Sequence, residues 1–294
     1  MDLIPFDQRD GSIWMDGEMV PWRDAKVHVL THGLHYGSCV FEGVRAYEGE
    51  IFKLRPHTER LFASAEILGF EIPYTMDEID AACHQAMQAN GLTDAYLRPV
   101  AWRGSEMMGV SAQQNTIRVA VAAWAWPSYF KPEERLAGIR MDISKWQRPS
   151  PATIPCESKA AGLYMICTLS KHAAEDKGYA DAMMMDYRGY IAEATGANVF
   201  FEKDGKLHTP TPDCFLDGIT RRTVIDLAKA RGIEVIERHI KPEEMADFNQ
   251  CFITGTAAEV TPVSEIGPYK FTVGPMAEAL MLDYDAVVRR KQAA

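Results

Sequence analysis

Hydrophobic and polar positions along the chain recur with two periods. In the first half, short stretches with period two flank turn-forming pairs, the spacing of strands with one covered face. Ser12 to Pro21 reads as a hairpin around Asp16-Gly17, and Val40 to Leu54 as a longer one turning at Glu48-Gly49. A helix follows Pro56 and runs through Arg60 and Leu61 to Gly69. Another opens at Thr75, where Glu78 completes a capping box. Its apolar positions Ile79, Ala82, Cys83, Ala86 and Met87 fall on one face, and Gly91 ends it. Strands resume at Ala95 to Arg103 and Ile117 to Trp126.

Pro127 to Glu134 breaks this pattern with two prolines and a shift to charge. It predicts an interdomain loop at residues 127–136, between a smaller domain (1–126) and a larger one (137–294). In the second half a helix is expected over Ser158 to Lys177. Strands follow at Asp181 to Asp186, Tyr190 to Glu193 and Asn198 to Glu202, with a turn at Asp204-Gly205. Thr220 to Arg231 reads as a helix with Val224, Leu227 and Ala228 inward and Gly232 at its end. Cys251 to Gly255 is a strand and Gly274 to Lys291 a closing helix. Helices and strands do not alternate regularly, so the class is α+β.

Composition narrows the functions. The 294 residues are 47% hydrophobic and 24% charged, enough apolar material for two domains with substantial cores. A formal net charge of -10 disfavours nucleic acid or an anionic membrane as partner, since the long-range field repels both. The amino terminus lacks a basic stretch followed by an apolar core, so no secretory signal is expected. The most apolar run, Val119 to Trp126, is far shorter than the ~20 residues that span a bilayer. The six cysteines lie far apart with no Cys-x-x-Cys pair, which suggests neither zinc nor a disulfide framework and fits a reducing cytoplasm. No metal site is expected.

Several side chains carry candidate chemistry, each with a plainer reading beside it. Strand alternation puts Phe41, Gly43 and Arg45 on one face, and Tyr96, Arg98, Val100 and Trp102 on another. A covered arginine needs an anion, which is either a carboxylate of the chain itself or one borne by a ligand. Lys159 stands among small residues in Ser158-Lys159-Ala160-Ala161-Gly162; it is a solvated surface group, or a buried amine able to act as a nucleophile. Glu193 either caps a turn or faces a basic ring nitrogen. Gly218-Ile219-Thr220 starts a helix, and Thr220 is an N-cap or part of a phosphate site. Thr254-Gly255-Thr256-Ala257-Ala258 is a tight turn, or a set of approachable amides.

Seven stretches occur in the order of a known family. They are His32-Gly33-Leu34-His35-Tyr36-Gly37, Val40-Phe41-Glu42-Gly43-Val44-Arg45, Tyr96-Leu97-Arg98-Pro99, Ser158-Lys159-Ala160, Ile191-Ala192-Glu193, Leu216-Asp217-Gly218-Ile219-Thr220-Arg221 and Thr254-Gly255-Thr256-Ala257-Ala258-Glu259. From Trp14 to about Pro262 the chain resembles the branched-chain-amino-acid aminotransferases, in the fold type IV class of pyridoxal-phosphate enzymes. The resemblance implies two α/β domains with the active site between them, the second binding pyridoxal 5'-phosphate. It implies ping-pong transamination between leucine, isoleucine or valine and 2-oxoglutarate, in a homodimer or larger assembly whose sites the neighbouring chain completes.

Carried over by position, Lys159 is the catalytic amine that bonds the cofactor and shuttles the proton. Glu193 pairs with the ring nitrogen and Tyr164 with the phenolic oxygen. Arg60, Ile219, Thr220 and Thr256 hold the phosphate, with Leu216, Gly218 and Gly255 around the cofactor. The hydroxyl of Tyr96 and the amides of Thr256 and Ala257, beside Ala258, hold the substrate α-carboxylate. Phe41, Tyr36, Trp126, Tyr129 and Val110 resemble the side-chain pocket walls, and Arg98 with Tyr36 and Tyr129 its polar rim. Gly43 and Arg45 complete the set that separates this subgroup from D-amino-acid and R-selective amine transaminases. Leu163, Ala197 and Cys156-Glu157 depart from the family pattern near the cofactor. The rivals are an aminodeoxychorismate lyase or another transaminase of the class, and a non-catalytic binding protein on the same fold.

Overall fold

The computed structural model describes residues 4–126 and 136–290. The expected interdomain loop, save its last residue, and Tyr129 within it lie outside the described residues. The chain divides into two compact units, one of residues 4–126 with Ser158–Gly162, the other of residues 136–157 and 163–290.

The first unit is a seven-stranded antiparallel sheet of β1 (Ser12–Met15), β2 (Glu18–Pro21), β3 (Cys39–Phe41), β4 (Val44–Tyr47), β5 (Glu50–Ile51), β6 (Ala95–Arg103) and β7 (Ile117–Ala125), ordered β2-β1-β7-β6-β4-β5 with β3 also on β6. Asp16-Gly17 and Glu48-Gly49 turn two hairpins with positive φ at both residues (50° and 97°, 51° and 91°), a conformation suited to the sheet's twist. The longer hairpin is interrupted. The chain leaves the ladder at Glu42-Gly43 between β3 and β4 while keeping register, Phe41 opposite Val100 and Val44 opposite Leu97.

Besides the short α1 (His32–Tyr36), this unit holds α2 (Leu54–Ile67) and α3 (Met76–Ala89). The capping box forms: the Thr75 hydroxyl accepts from the Glu78 N–H, and the Glu78 carboxylate accepts from the Thr75 N–H. Leu61 and Ala65 of α2 and Ile79, Ala82, Cys83 and Ala86 of α3 pack on Val44, Leu97, Val119, Val121 and Ala123. These residues alternate with the ones on the opposite face, so the two helices cover only one side of the sheet.

The helix expected from Ser158 begins later. Ser158 Oγ donates to Ser64 O, the Lys159 N–H donates to Ser64 Oγ, and Lys159 O accepts from the Phe41 N–H. Val40 and Ala160 form an isolated bridge. Backbone groups engaged with the first unit cannot close helical turns, so Ala161–Tyr164 makes one 3-10 turn and α4 starts at Met165, running to Glu175. For the same reason Lys159 belongs to the first unit, although its sequence position assigns it to the second domain.

The second unit holds β8 (Ile139–Ile143), β9 (Asp181–Met185), β10 (Ile191–Ala194), β11 (Asn198–Lys203), β12 (Lys206–Thr209), β13 (Val235–Glu237), β14 (Gln250–Gly255), β15 (Glu259–Ile266) and β16 (Tyr269–Lys270). They follow the order β10-β9-β8-β15-β14-β11-β12-β13, with β16 on β15. Because β10 also pairs with β11, through Glu193 and Asn198, six of the strands close on themselves. Here α5 (Ile219–Ala230) and α6 (Pro275–Val288) pack on each other, α5 against β14 and α6 against β14 and β15. Among the described residues no helix is long and apolar enough to cross a membrane.

Candidate active site

In the first unit the candidate side chains carried by the strands share the sheet face that α2 and α3 leave uncovered. Register sets Arg45 and Trp124 on either side of Tyr96, with Arg98 opposite Ala122. The Tyr96 ring lies 5.1 Å from that of Trp124 and 5.2 Å from that of Trp126. The Arg98 guanidinium sits 4.8 Å from the Phe41 ring centroid, and its Nη2 reaches the Tyr96 hydroxyl at 3.4 Å. Its Nε is buried with no hydrogen-bond partner among the described residues. A cationic donor left unsatisfied among aromatic walls is disfavoured until a carboxylate meets it. Beside it, burial pushes the Cys39 thiol up to about 11 against the pull of Arg98, so it stays protonated. Arg45 is buried with its guanidinium 4.6 Å from the Tyr47 ring centroid.

Gly43 is fixed by Tyr96: a Cβ there would stand 1.9 Å from the phenolic oxygen. Lys159 is half-buried, with Nζ 4.9 Å from the centre of the Phe41 ring. Its backbone is clamped on both sides by the Ser64 and Phe41 bonds. Arg60 meets a carboxylate of the chain itself, giving Nε and Nη2 to Glu42 at 2.7 and 2.9 Å. His57 adds a third bond to Glu42 at 2.6 Å.

In the second unit the candidates gather where β10, β11 and β14 meet. Asn198 stands opposite both Glu193 and Thr254. Its amide donates to Glu193 Oε2 at 3.3 Å and to Leu216 O at 3.0 Å, and its oxygen accepts from the Gly218 N–H at 3.2 Å. One side chain thus ties the acid to the loop that opens α5. Arg148, deeply buried, lies 3.4 Å from Glu193. Burial works against its charge, but Glu193, then Cys167 and Tyr164, hold its pKa above the usual value. Tyr164 is half-buried at the start of α4.

No side chain caps α5. Gly218 is its N-cap, Ile219 and Thr220 form its first turn, and a Cβ on Gly218 would lie 2.2 Å from Asn198 Oδ1. Thr256, Ala257 and Ala258 make the turn from β14 into β15, where the Thr261 hydroxyl donates to Ala258 O at 2.6 Å. Gly255 passes close to Gly196 O, 3.2 Å from where a Cβ would stand.

A model of class IV aminotransferases matches residues 39–266. The chain belongs to the class IV aminotransferases, in the branched-chain-amino-acid group. A Rickettsia bellii protein named as a probable branched-chain-amino-acid aminotransferase is 46% identical over 281 residues, which is 94% of this chain and 96% of that protein. Among solved structures, the Escherichia coli branched-chain amino acid aminotransferase matches with a TM-score of 0.92 at 38% identity, over 96% of this chain and 96% of that one. The branched-chain amino acid aminotransferase of Thermobaculum terrenum, solved in its PLP form, matches at 0.88 and 29%, over 96% of this chain and 95% of that one. The α+β architecture is therefore that of fold type IV.

The residues present fit the aminotransferase cofactor on chemical grounds. An amine at Lys159, a pinned carboxylate at Glu193, and an uncapped helix start backed by glycine match an aldehyde, a ring nitrogen and a phosphate. Two expected wall residues stand apart. Tyr36 and Val110 are 47% and 86% exposed. The Tyr36 ring stacks on His32 at 4.6 Å, and His32 Nε2 bonds Gly109 O at 2.9 Å, so both lie on one exposed edge. Periodicity did not single out Glu42, His57, Trp124, Arg148 or Asn198. Glu42 carried a signal, as an acid between two strand segments of apolar character.

Proposed function

We propose that this aminotransferase moves amino groups between branched-chain L-amino acids (leucine, isoleucine, valine) and 2-oxoglutarate by a ping-pong mechanism. The observation that carries the reading is the pairing of an apolar aromatic wall with one incompletely satisfied guanidinium, Phe41 and Tyr96 beside Arg98. Phe41 and Trp126 offer a branched side chain dry contact. Arg98 offers the side-chain carboxylate of glutamate a charged donor in the same place, so one pocket serves both half-reactions.

Bound pyridoxal 5'-phosphate supplies the aldehyde that takes up the amino group and a ring that accepts the electrons of the broken Cα–H bond. Lys159 Nζ carries the proton to and from that carbon. Glu193, facing Arg148 at 3.4 Å and oriented by Asn198, holds the proton on the ring nitrogen. Tyr164 bonds the phenolic oxygen. Arg60, Thr256, and Ile219 and Thr220 at the start of α5 hold the phosphate, with Leu216, Gly218 and Gly255 shaping the space around the cofactor. The Tyr96 hydroxyl and the amides of Thr256 and Ala257 receive the substrate α-carboxylate. Arg45 and Gly43 keep Tyr96 in place.

The working form is a homodimer or larger. Exposed Tyr36 and Val110 serve as wall residues of a neighbouring chain's site, Tyr36 at its rim as well. The cysteines are all free thiols, five of them buried, which supports a reducing compartment, the cytoplasm.

Mixing the full-length, cofactor-loaded protein with one amino donor at a time tests this. L-leucine and L-glutamate should each convert the aldehyde absorbance to that of the amine form. Pyruvate release from aminodeoxychorismate with no response to leucine would point instead to a lyase. Response to D-amino acids or R-amines alone would assign the chain to another transaminase of the class.

A further inference from the structure

Glu42 is fully buried and takes three hydrogen bonds, two from Arg60 and one from His57. Burial by itself raises a carboxyl's pKa, yet Arg60 and His57 hold this one well below the usual range. His57 is itself buried, which lowers its pKa, so it stays neutral and gives its Nδ1–H to the carboxylate. The cluster therefore carries one negative and one positive charge. A buried ion pair contributes little net stability over apolar packing, and such pairs are best attested where they fix an arrangement.

The arrangement fixed here lies along one helix face. His57, Arg60 and Ser64 are spaced three and four apart on α2. Ser64 holds the Ser158 hydroxyl through its carbonyl and the Lys159 backbone N–H through its own hydroxyl, while Glu42 grips Arg60 through Nε and Nη2 together and so sets the plane of its guanidinium. One helix face thus positions the cofactor amine and the phosphate arginine together.

We propose that Glu42 and His57 are positioning residues for the cofactor phosphate, acting through Arg60. The inference rests on the assignment of Arg60 to the phosphate in the reading above. The opposite sign has its own physical logic: Glu42 could neutralise Arg60 and compete with the phosphate for it. The two accounts predict opposite changes in affinity.

The test titrates full-length chains, freed of cofactor, with pyridoxal 5'-phosphate and with pyridoxal, which lacks the phosphate. Glu42→Gln should weaken binding of the phosphorylated form about tenfold, the scale of one charged hydrogen bond, and leave pyridoxal binding nearly unchanged. His57→Gln, which removes one bond of three, should fall in between and carries the same comparison if Glu42→Gln folds poorly. In an Arg60→Ala background, Glu42→Gln should weaken binding no further, because its effect passes through Arg60. Equal losses for both ligands, additivity with Arg60→Ala, or tighter binding by Glu42→Gln would each overturn the proposal. A wild-type chain that binds neither ligand would overturn the functional reading as well, so the two failures are distinguishable.

Discussion

Gly43 ties backbone geometry to the Tyr96 hydroxyl at a single atom. Its φ lies outside the left-handed region, so alanine meets no backbone strain there. The obstacle is the Tyr96 oxygen, 1.9 Å from the added Cβ, and the ring carbon that bears it, at 2.8 Å. Tyr96 is packed against Trp124 and Trp126 and cannot swing aside freely. Gly43→Ala should therefore displace the hydroxyl assigned to the α-carboxylate. KM for leucine and for glutamate should both rise about tenfold, with a stability loss of about 1–3 kcal/mol from overpacking. Steady-state kinetics with both donors and a thermal melt check this, and a KM increase confined to one donor would detach Tyr96 from the carboxylate that the substrates share. The sequence made Gly43, Tyr96 and Arg98 legible because alternation along a strand assigns faces. It did not make Trp124, Arg148 or Asn198 legible. Their place depends on which strand lies alongside, and register between distant segments leaves no local trace.

At the scale of elements, local chemistry predicted what local chemistry controls. The α3 cap is the clearest instance: Thr75 and Glu78 satisfy each other's backbone donors. Thr75→Ala should lower stability by about 1 kcal/mol, the worth of an N-cap hydroxyl, with kcat untouched because the cap lies outside the assigned site. Chemical denaturation would show a shifted midpoint at an unchanged slope; an unshifted midpoint would mean the box is redundant. Hairpins with Asp-Gly and Glu-Gly turns were equally readable. Two kinds of element were not. The helix expected from Ser158 yields its first residues to Ser64 and Phe41, a tertiary demand that overrides local preference. Strand β15 hides because it is buried on both faces and so shows no alternation, and it contains Pro262.

At the scale of the whole molecule, the unfinished part is the apolar edge of the first unit. Val27, Val29, Leu30, Leu34 and Tyr36 are exposed in a single chain, Leu34 to 66%. Leu34 also borders an apolar recess of about 410 Å³ with Val27, Cys39 and Trp102. Exposed apolar side chains are the kind of surface that association covers, and the same edge carries Tyr36 and, through His32, the loop of Val110. If this edge is where two chains meet, a charge there is nearly neutral for the isolated fold, within about 0.5 kcal/mol. In the assembly the same charge is buried without a partner, at a cost of several kcal/mol. Leu34→Asp should accordingly keep its secondary structure, move toward monomer in sedimentation, and lose activity per chain. The loss should be partly recovered as protein concentration rises, because mass action reforms the pair. An assembly unchanged by the substitution at micromolar dilution would remove this edge from the interface, and with it the role of Tyr36 and Val110 in a neighbour's site.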